Sequence, residues 1–164
     1  MIRYYEKVIK REIRRTKRFR KNSYIKIIGI LSNVYDFSMQ IIEKISKKHN
    51  LNIKIDKIIY ENLTDVKLEE NAIFIIPLEG VFLSYLLYNV NNNEKYYFIF
   101  KKYKNLNISY KVSEYVLSKY INKIPYSIDK TYNKIIEFMY KLFEKNEKYA
   151  ISLGKFLDYI EKYY

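Results

Sequence analysis

Four short runs rich in β-branched and aromatic residues alternate with helical patterns in this chain, and that alternation limits its fold more than any other feature. The run YIKIIGIL at residues 24–31 is the clearest, since a β-branched run of that length is typical of a buried strand. The other predicted strands cover residues 51–60, 71–77 and 96–102. Strands that alternate with helices over short links form parallel sheets covered by helices. The sequence therefore predicts the α/β class, with a mostly parallel sheet of about four strands and flanking helices.

The helical segments are predicted from apolar residues at helical spacing and from capping residues. The first is an amphipathic helix at residues 2–20, and Ser32 or Asn33 is expected to cap a second helix that ends near Lys48. Further helices are predicted at residues 79–89, 111–122, 128–145 and 151–163. At 164 residues one compact domain is expected. Its predicted parts are a basic N-terminal helix at 1–22, an α/β core at 23–110 and a helical C-terminal region at 111–164.

Positive charge is concentrated at the N-terminus of the sequence. The chain has 31 Lys and Arg residues against 18 Asp and Glu, which gives a formal charge of +13. All six arginines precede residue 21, and the first 21 residues alone carry a formal charge of +8. Because arginine forms bidentate contacts with phosphate, this helix is predicted to bind a phosphate-bearing partner. The alternative is a solvated arginine face over an apolar stripe.

Cysteine is absent from the sequence and histidine occurs once, at His49. These counts exclude disulfides, thiolate zinc sites, cysteine-ligated iron–sulfur clusters and sites with several histidine ligands. No metal site, zinc or iron–sulfur cofactor is therefore expected, and a reducing cytoplasm is the expected location. No run approaches the roughly 18–20 apolar residues of a membrane span, so no membrane partner is expected.

The first strand-to-helix turn, ILSNVYDFSMQII at residues 30–42, resembles the phosphate-binding turn S-G-G-x-D-S of the PP-loop ATP pyrophosphatases, with matches at Ser32 and Asp36. The segment before it, IRYYEKVIKREIRRTKRF, resembles the segment that leads into this turn in the tRNA 2-thiouridine synthetases. The third strand with its helix and the C-terminal tail follow that family in order. Further matches are Tyr5, Glu6, Asn89, Pro125, Tyr126 and Lys145. The chain is identified as a degenerate, shortened member of that family, which includes the cytoplasmic tRNA 2-thiolation proteins.

The resemblance implies a Rossmann-like sheet of the PP-loop (HUP) type with a helical C-terminal tail. It also implies a vestigial nucleotide-binding loop, formed by Ser32, Asn33, Asp36 and Ser38. The predicted tRNA-binding residues lie in the first helix and the link after it, and they are Arg3, Lys10, Arg11, Arg14, Arg15, Arg18 and Arg20. Tyr4 and Tyr5 are candidates for stacking on unpaired bases of the tRNA.

Several departures from the family pattern affect the residues that carry its chemistry. Asn33 and Val34 replace the two glycines that let backbone amides approach a pyrophosphate, and Phe37 replaces the last serine. Residues 77–81 replace His-Asn-x-Asp-Asp, and Ile124 replaces a cysteine. Sulfur transfer that depends on a cluster is therefore excluded for this chain.

Three functions follow from these patterns. The first is a non-catalytic tRNA wobble-uridine 2-thiolation protein that binds tRNA, forms a heteromer with an intact homologue and needs no cofactor. The second is an active adenylating enzyme, in which Ser32, Asp36 and Ser38 would hold ATP and Mg²⁺ and Glu79 would replace a motif Asp. The third is an unrelated basic protein that binds nucleic acid, an anionic membrane or another protein.

Overall fold

Three parallel strands form the centre of the computed structural model, which describes residues 1–163 and the side chains of residues 1–160. They are β1 (Tyr24–Ile30), β2 (Lys54–Tyr60) and β3 (Ile73–Ile75), in the order β2-β1-β3. In the β1–β2 pair Ile28 lies beside Ile58, and in the β1–β3 pair it lies beside Phe74. From Ile27 to Ile30 β1 is buried on both faces, as expected from its β-branched, mostly apolar sequence.

Helices cover this sheet and make up most of the remaining chain. They are α1 (Ile2–Thr16), α2 (Asn33–Lys48), α3 (Leu78–Asn91), α4 (Glu94–Tyr97), α5 (Glu114–Tyr120), α6 (Asn133–Lys145) and α7 (Lys148–Tyr163). The prediction of an α/β protein with a parallel sheet, flanking helices and a C-terminal helix is confirmed. The prediction of Ser32 or Asn33 as the cap of a helix ending near Lys48 is also confirmed, with Ser32 as the cap.

The predicted strand at residues 96–102 is wrong, because this segment is helical. α4 is followed directly by a π-helical turn at Phe98–Lys102, and Asn93 caps α4 by accepting a hydrogen bond from the Lys95 amide at 3.0 Å. The buried side chains Tyr96, Ile99 and Phe100 have helical spacing. The Phe100 ring packs edge-to-face on Tyr85 of α3, with 5.4 Å between ring centroids, so aromatic packing outweighs β propensity here.

An extended segment around Asn107 lies where a fourth strand would pair with β3. Asn107 forms an isolated parallel bridge with Phe74, and the Ile108 amide donates to the Phe74 carbonyl at 3.1 Å. The Asn107 side chain then binds the backbone of Ile76 twice: its Oδ1 accepts from the amide at 3.1 Å and its Nδ2 donates to the carbonyl at 3.0 Å. The side chain of Asn107 thus bonds both backbone groups of Ile76 at the edge of the sheet, and Ser109 Oγ also donates to the Ile76 carbonyl at 3.2 Å.

Asparagine takes the place of glycine in the left-handed turns of this chain. Among the described residues, eight non-glycine residues have positive φ, and six of them are asparagines: Asn22, Asn50, Asn52, Asn71, Asn92 and Asn122. None of the three glycines has positive φ. Asparagine tolerates this conformation better than other non-glycine residues, which explains how a glycine-poor sequence forms these links. The other two residues are Ile128 and Lys17. Lys17 is the C-cap of α1, which ends at Thr16, four residues before the predicted end at residue 20.

Gly29 is required by packing between β1 and α2. A Cβ atom on Gly29 would lie 2.4 Å from the Tyr35 ring, which is buried against the strand. We predict that Gly29→Ala lowers the free energy of unfolding by about 1–3 kcal/mol, as measured by urea denaturation. Gly154→Ala is the control, because its Cβ would meet only the Lys111 side chain, at 3.6 Å from Cγ and 3.9 Å from Cβ, in a helix that favours alanine. Equal losses in the two variants would contradict the close Gly29–Tyr35 contact.

Candidate functional site

The carboxyl ends of β1 and β3 border the crevice in which ligands bind in open α/β sheets. β2 and β3 lie on opposite sides of β1, so the strand order reverses between β1 and β3. Ligands of such sheets bind outside the strand ends at that point. Here the crevice is bordered by the first turns of α2 and α3, which follow β1 and β3 closely in the chain. A nucleotide bound as in other proteins of this class would occupy this crevice.

The turn between β1 and α2 has no room for a phosphate-binding loop. Only Leu31 and Ser32 separate the last residue of β1 from the first residue of α2. Ser32 Oγ donates to the Ile30 carbonyl at 2.8 Å and accepts from the Tyr35 amide at 3.0 Å, so its hydroxyl is used in capping. No residue between 24 and 48 has positive φ. Asn33 and Val34 are therefore ordinary helical residues and do not form a cradle.

A buried carboxylate of the chain itself occupies the N-terminus of α2. Glu114 is fully buried, and its Oε1 accepts a hydrogen bond from the Val34 amide at 3.0 Å. Its Oε2 accepts from the amides of Asn33 and Tyr126, each at 3.0 Å. Amides at a helix N-terminus are the donors that bind phosphate in many nucleotide-binding proteins. In this chain two of those donors are already bonded to Glu114.

A second buried glutamate holds Glu114 in place. Glu79, in the first turn of α3, accepts from the Glu114 amide at 2.8 Å through Oε1. Its Oε2 accepts from the Tyr115 amide at 3.0 Å and from Ser113 Oγ at 2.8 Å. Glu79 thus caps α5, and α5 in turn carries the carboxylate that caps α2. We call this pair of contacts the glutamate relay.

Ile128 fills the space beside the glutamate relay. Its Cγ2 lies 3.5 Å from the point that a Cβ on Gly80 would occupy, where Ile76 Cγ2 lies at 2.8 Å and Ile30 Cδ1, at the end of β1, at 3.8 Å. Ile128 has φ 66°, and the Asp129 amide donates to the Ser127 carbonyl at 2.7 Å around it. Positive φ costs a β-branched residue about 1–3 kcal/mol. That cost is offset by burial of the side chain in the crevice.

Burial raises the pKa of both glutamates. It raises the pKa of Glu114 to about 7, and the nearby Glu79 carboxylate acts in the same direction. Burial also raises the pKa of Glu79, against the effect of its hydrogen bonds from Tyr115, Glu114 and Ser113. Both carboxyls therefore bind a proton more readily in the folded chain than in water.

The four predicted nucleotide-binding residues do not converge on an open site. Ser32, Asn33 and Ser38 are buried, and Asp36 is exposed. Asn33 Nδ2 donates to Ser118 Oγ at 2.8 Å and to the Ile124 carbonyl at 3.0 Å, so it attaches α2 to the segment after α5. Glu79, the suggested replacement for a motif Asp, is fully buried in the relay. Within the part of the chain that the structure describes, no three His, Asp or Glu side chains group closely enough to hold a metal ion.

A groove of about 740 Å³ lies between α1 and the second half of α2. On α1 it is lined by one stripe of the helix, Glu6, Lys10, Ile13, Arg14 and Lys17. On α2 it is lined by another stripe, Ile41, Lys44, Ile45 and Lys48. The links after the two helices close one end with Phe19, Arg20, His49 and Leu51. We call this cavity the basic groove.

The lining of the basic groove carries six cationic side chains and one carboxylate, a formal charge of +5 with His49 neutral. The carboxylate, Glu6, pairs with Lys10 at 2.8 Å, and Lys10 holds the pKa of Glu6 below its usual range. Among the described residues, Arg14, Lys44 and Lys48 form no ion pair. Because like charges repel across a narrow groove, an anionic ligand is the complement of this surface.

The structure brings three of the seven predicted RNA-binding residues, Lys10, Arg14 and Arg20, into the basic groove. The other four lie outside its lining. Arg3 and Arg11 are exposed on α1, and Arg15 pairs with the buried Glu12 at 3.3 Å. Arg18 donates to the Asn71 carbonyl at 2.6 Å, which attaches the link after α1 to the residues before β3.

Tyr4 and Tyr5 differ in what they can contact. Tyr5 is only 1% exposed and packs in the core, so stacking of Tyr5 on an RNA base is ruled out in this fold. Tyr4 is 44% exposed, with its ring centroid 5.7 Å from that of Tyr5.

Four residues of the groove lining were not predicted from the sequence as site residues: Lys17, Phe19, Lys44 and Lys48. Lys44 and Lys48 are four residues apart and alternate with Ile41 and Ile45 at helical spacing. That spacing indicates that both lysines lie at the border of the buried face of α2. It does not indicate that α1 packs beside this border, which depends on tertiary structure.

Comparison with protein-family models, with curated proteins and with solved structures finds no match to this chain. None of the helices that the structure describes has the length and apolar content needed to cross a membrane.

The raised pKa of Glu114 predicts a pH-dependent stability. Its pKa is about 7 in the folded chain against 4.5 for an ordinary glutamate, so the folded state binds this proton more tightly. The free energy of unfolding should therefore fall as pH rises from about 5 to about 7 and level off above it. We predict that the native chain loses about 2.5 kcal/mol more than Glu114→Gln between pH 5 and pH 8, as measured by urea denaturation.

At every pH tested Glu114→Gln should be less stable than the native chain, because its amide group would face backbone N–H donors. Glu43→Gln, on the exposed side of α2, is the matched control and should keep the native pH profile. A native stability that stays level or rises between pH 5 and pH 7 would show that Glu114 titrates like an exposed carboxylate.

Occupation of the α2 N-terminus by Glu114 also predicts that the crevice does not take a nucleotide. Calorimetry with ATP and Mg²⁺ should give no binding in the micromolar range, for the native chain or for Asp36→Ala. Asp56→Ala, an exposed aspartate on β2, is the control. Micromolar ATP binding that is lost in Asp36→Ala and kept in Asp56→Ala would overturn this account of the crevice.

Proposed function

We propose that this chain binds RNA in the basic groove and performs no catalytic step of its own. The observation that carries the proposal is the groove itself, with six cationic side chains on two facing helices and the link after α1, and one carboxylate that is already paired. Lysine and arginine that contact phosphates release counterions, which favours binding of nucleic acid at moderate salt. The arginine-rich segment of the sequence supplies one wall of this groove.

The proposed RNA is tRNA, and the proposed process is wobble-uridine 2-thiolation in the cytoplasm. Both rest on the resemblance of residues 2–19, 30–42 and 71–93 and of the C-terminal tail to the tRNA 2-thiouridine synthetases. We also propose that the sheet is Rossmann-like and of the PP-loop type. The parallel order β2-β1-β3, with α2 between β1 and β2, supports that proposal.

A role as a partner subunit is supported by the side chains that fill the crevice. The glutamate relay and Ile128 occupy the space in which a PP-loop enzyme would activate its substrate with ATP. In the proposed role the chain delivers or positions tRNA for an intact thiolation enzyme, with which it forms a heteromer. An adenylating activity of its own is disfavoured by the same contacts.

Binding of tRNA is tested by fluorescence anisotropy at two salt concentrations. We expect the triple variant Arg14→Gln, Lys44→Gln, Lys48→Gln to bind tRNA about tenfold or more weakly than the native chain. The slope of log affinity against log salt should fall by about 2–3, because up to three phosphate contacts are removed. Glutamine keeps the helices intact, since it is a good helix former.

The matched control removes three lysines of equal charge on α5 and α6, Lys119→Gln, Lys134→Gln and Lys141→Gln. Equal losses in the two triple variants would show that only total charge matters and would contradict the proposed site. Equal affinity for tRNA, duplex DNA and anionic vesicles would contradict a role in tRNA thiolation. Recovery of neither tRNA nor a thiolation enzyme with the tagged chain from its own cells would contradict the partner role.

A further inference from the structure

We infer that the basic groove takes an unpaired nucleotide, with its base on an apolar floor and its phosphates on the cationic walls. This inference rests on the proposed function, since it specifies the part of the RNA that enters the groove. It narrows the ligand to unpaired RNA. Charge alone does not make that selection, because a purely electrostatic surface binds paired and unpaired RNA alike.

The floor of the groove is apolar and partly open. Ile13 and Ile41 form its buried base, and Phe19, Ile45 and Leu51 are only half-buried beside it. Apolar surface left in water is unfavourable, and a ligand that covers it gains binding free energy. The groove volume of about 740 Å³ lies within the range of small-molecule sites in proteins, so a base with its ribose fits.

The cationic side chains stand on both sides of this floor. Lys10 and Arg14 lie on the α1 wall, and Lys44 and Lys48 lie on the α2 wall. Between Glu6 and Lys17 the α1 wall extends for about 16 Å. A phosphate on either side of a bound base is thus within reach of a charged side chain from one of the walls.

A paired RNA helix cannot use both parts of the groove. Its bases are stacked inside the duplex, and its surface presents mainly phosphates and riboses. It can contact the lysines and arginines of the rim but leaves the apolar floor uncovered. An unpaired base reaches the floor, where the Phe19 ring provides a stacking surface of the kind that single-stranded RNA binders use.

Hydrogen bonds between the links fix the closed end of the groove. The Asn22 amide donates to the Leu51 carbonyl at 2.7 Å, and Asn52 Nδ2 donates to Asn22 Oδ1 at 3.2 Å. Phe19 lies between the left-handed residues Lys17 and Asn22, and Arg20 Nε donates to the Lys17 carbonyl at 2.8 Å. The link that carries Phe19 is therefore held to the link that carries Leu51, so the floor is formed before a ligand arrives.

The test uses two RNA hairpins with the same number of phosphates, each closed by a non-nucleotide linker so that neither has an unpaired loop. One has a fully paired stem and the other has a three-nucleotide bulge in its stem. Fluorescence anisotropy should show that the native chain binds the bulged hairpin about tenfold more tightly. Phe19→Leu keeps an apolar side chain but removes the ring. It should reduce that ratio to about threefold or less and leave binding of the paired hairpin unchanged.

Phe37→Leu is the matched control, because Phe37 is also half-buried but lies outside the groove lining. It should keep the native ratio. Thermal melting checks the folding of each variant, and Ile45→Ala replaces Phe19→Leu as the floor variant if the latter melts early. The ratio of the native chain's affinities for the two hairpins is measured without any variant. It therefore tests the inference whether or not Phe19→Leu folds.

The outcomes separate this inference from the proposed function. Equal native affinity for the two hairpins, with both weakened by the Arg14, Lys44 and Lys48 substitutions, would overturn the inference and leave RNA binding in place. A loss of affinity for both hairpins in Phe19→Leu would also overturn it. No binding of either hairpin or of tRNA by the native chain would overturn the proposed function together with the inference.

Discussion

The Glu114 carboxylate bonds to the first amides of α2, and the Glu79 carboxylate bonds to the first amides of α5. These two contacts join three helices at the carboxyl end of the sheet, which is where an open α/β protein usually holds its ligand. A buried carboxylate that lost its donors would be strongly destabilising, so the relay and the crevice cannot open independently. The same contacts hold the start of α5 against the first turns of α2 and α3.

The crevice at this end of the sheet is filled by the chain's own side chains. The C-terminal half of α2, which lines the basic groove, is therefore the part of this helix that can meet a ligand. The N-terminal half of α2 is buried against α5, whereas its C-terminal half stands beside α1 with Lys44 and Lys48 at the border. Cations near the C-terminal end of a helix are stabilised by the helix dipole, so this charge is accommodated at low cost in stability. The groove therefore follows from how α1 and α2 pack and does not require a specialised loop.

The sequence predicted the parts of this fold that depend on local patterns. The buried β1, the Ser32 cap and the amphipathic α1 were all predictable from apolar runs, capping chemistry and helical spacing. Residues 96–102 were not, because their aromatic side chains pack on α3 and override a β-like composition. Glu79 and Glu114 are 35 residues apart and the two groove walls belong to different helices, so both the relay and the groove required the tertiary structure.

Backbone amide chemical shifts during a titration with tRNA test the central claim most directly, because they report both regions in one sample. The account predicts that the shifts change along the groove stripes of α1 and α2, at residues such as Arg14, Lys44 and Lys48. The amides of Asn33, Val34 and Glu114, which are bonded inside the relay, should stay unchanged. Changes at those three amides with none along the groove would show that the RNA enters the crevice, and would contradict the account.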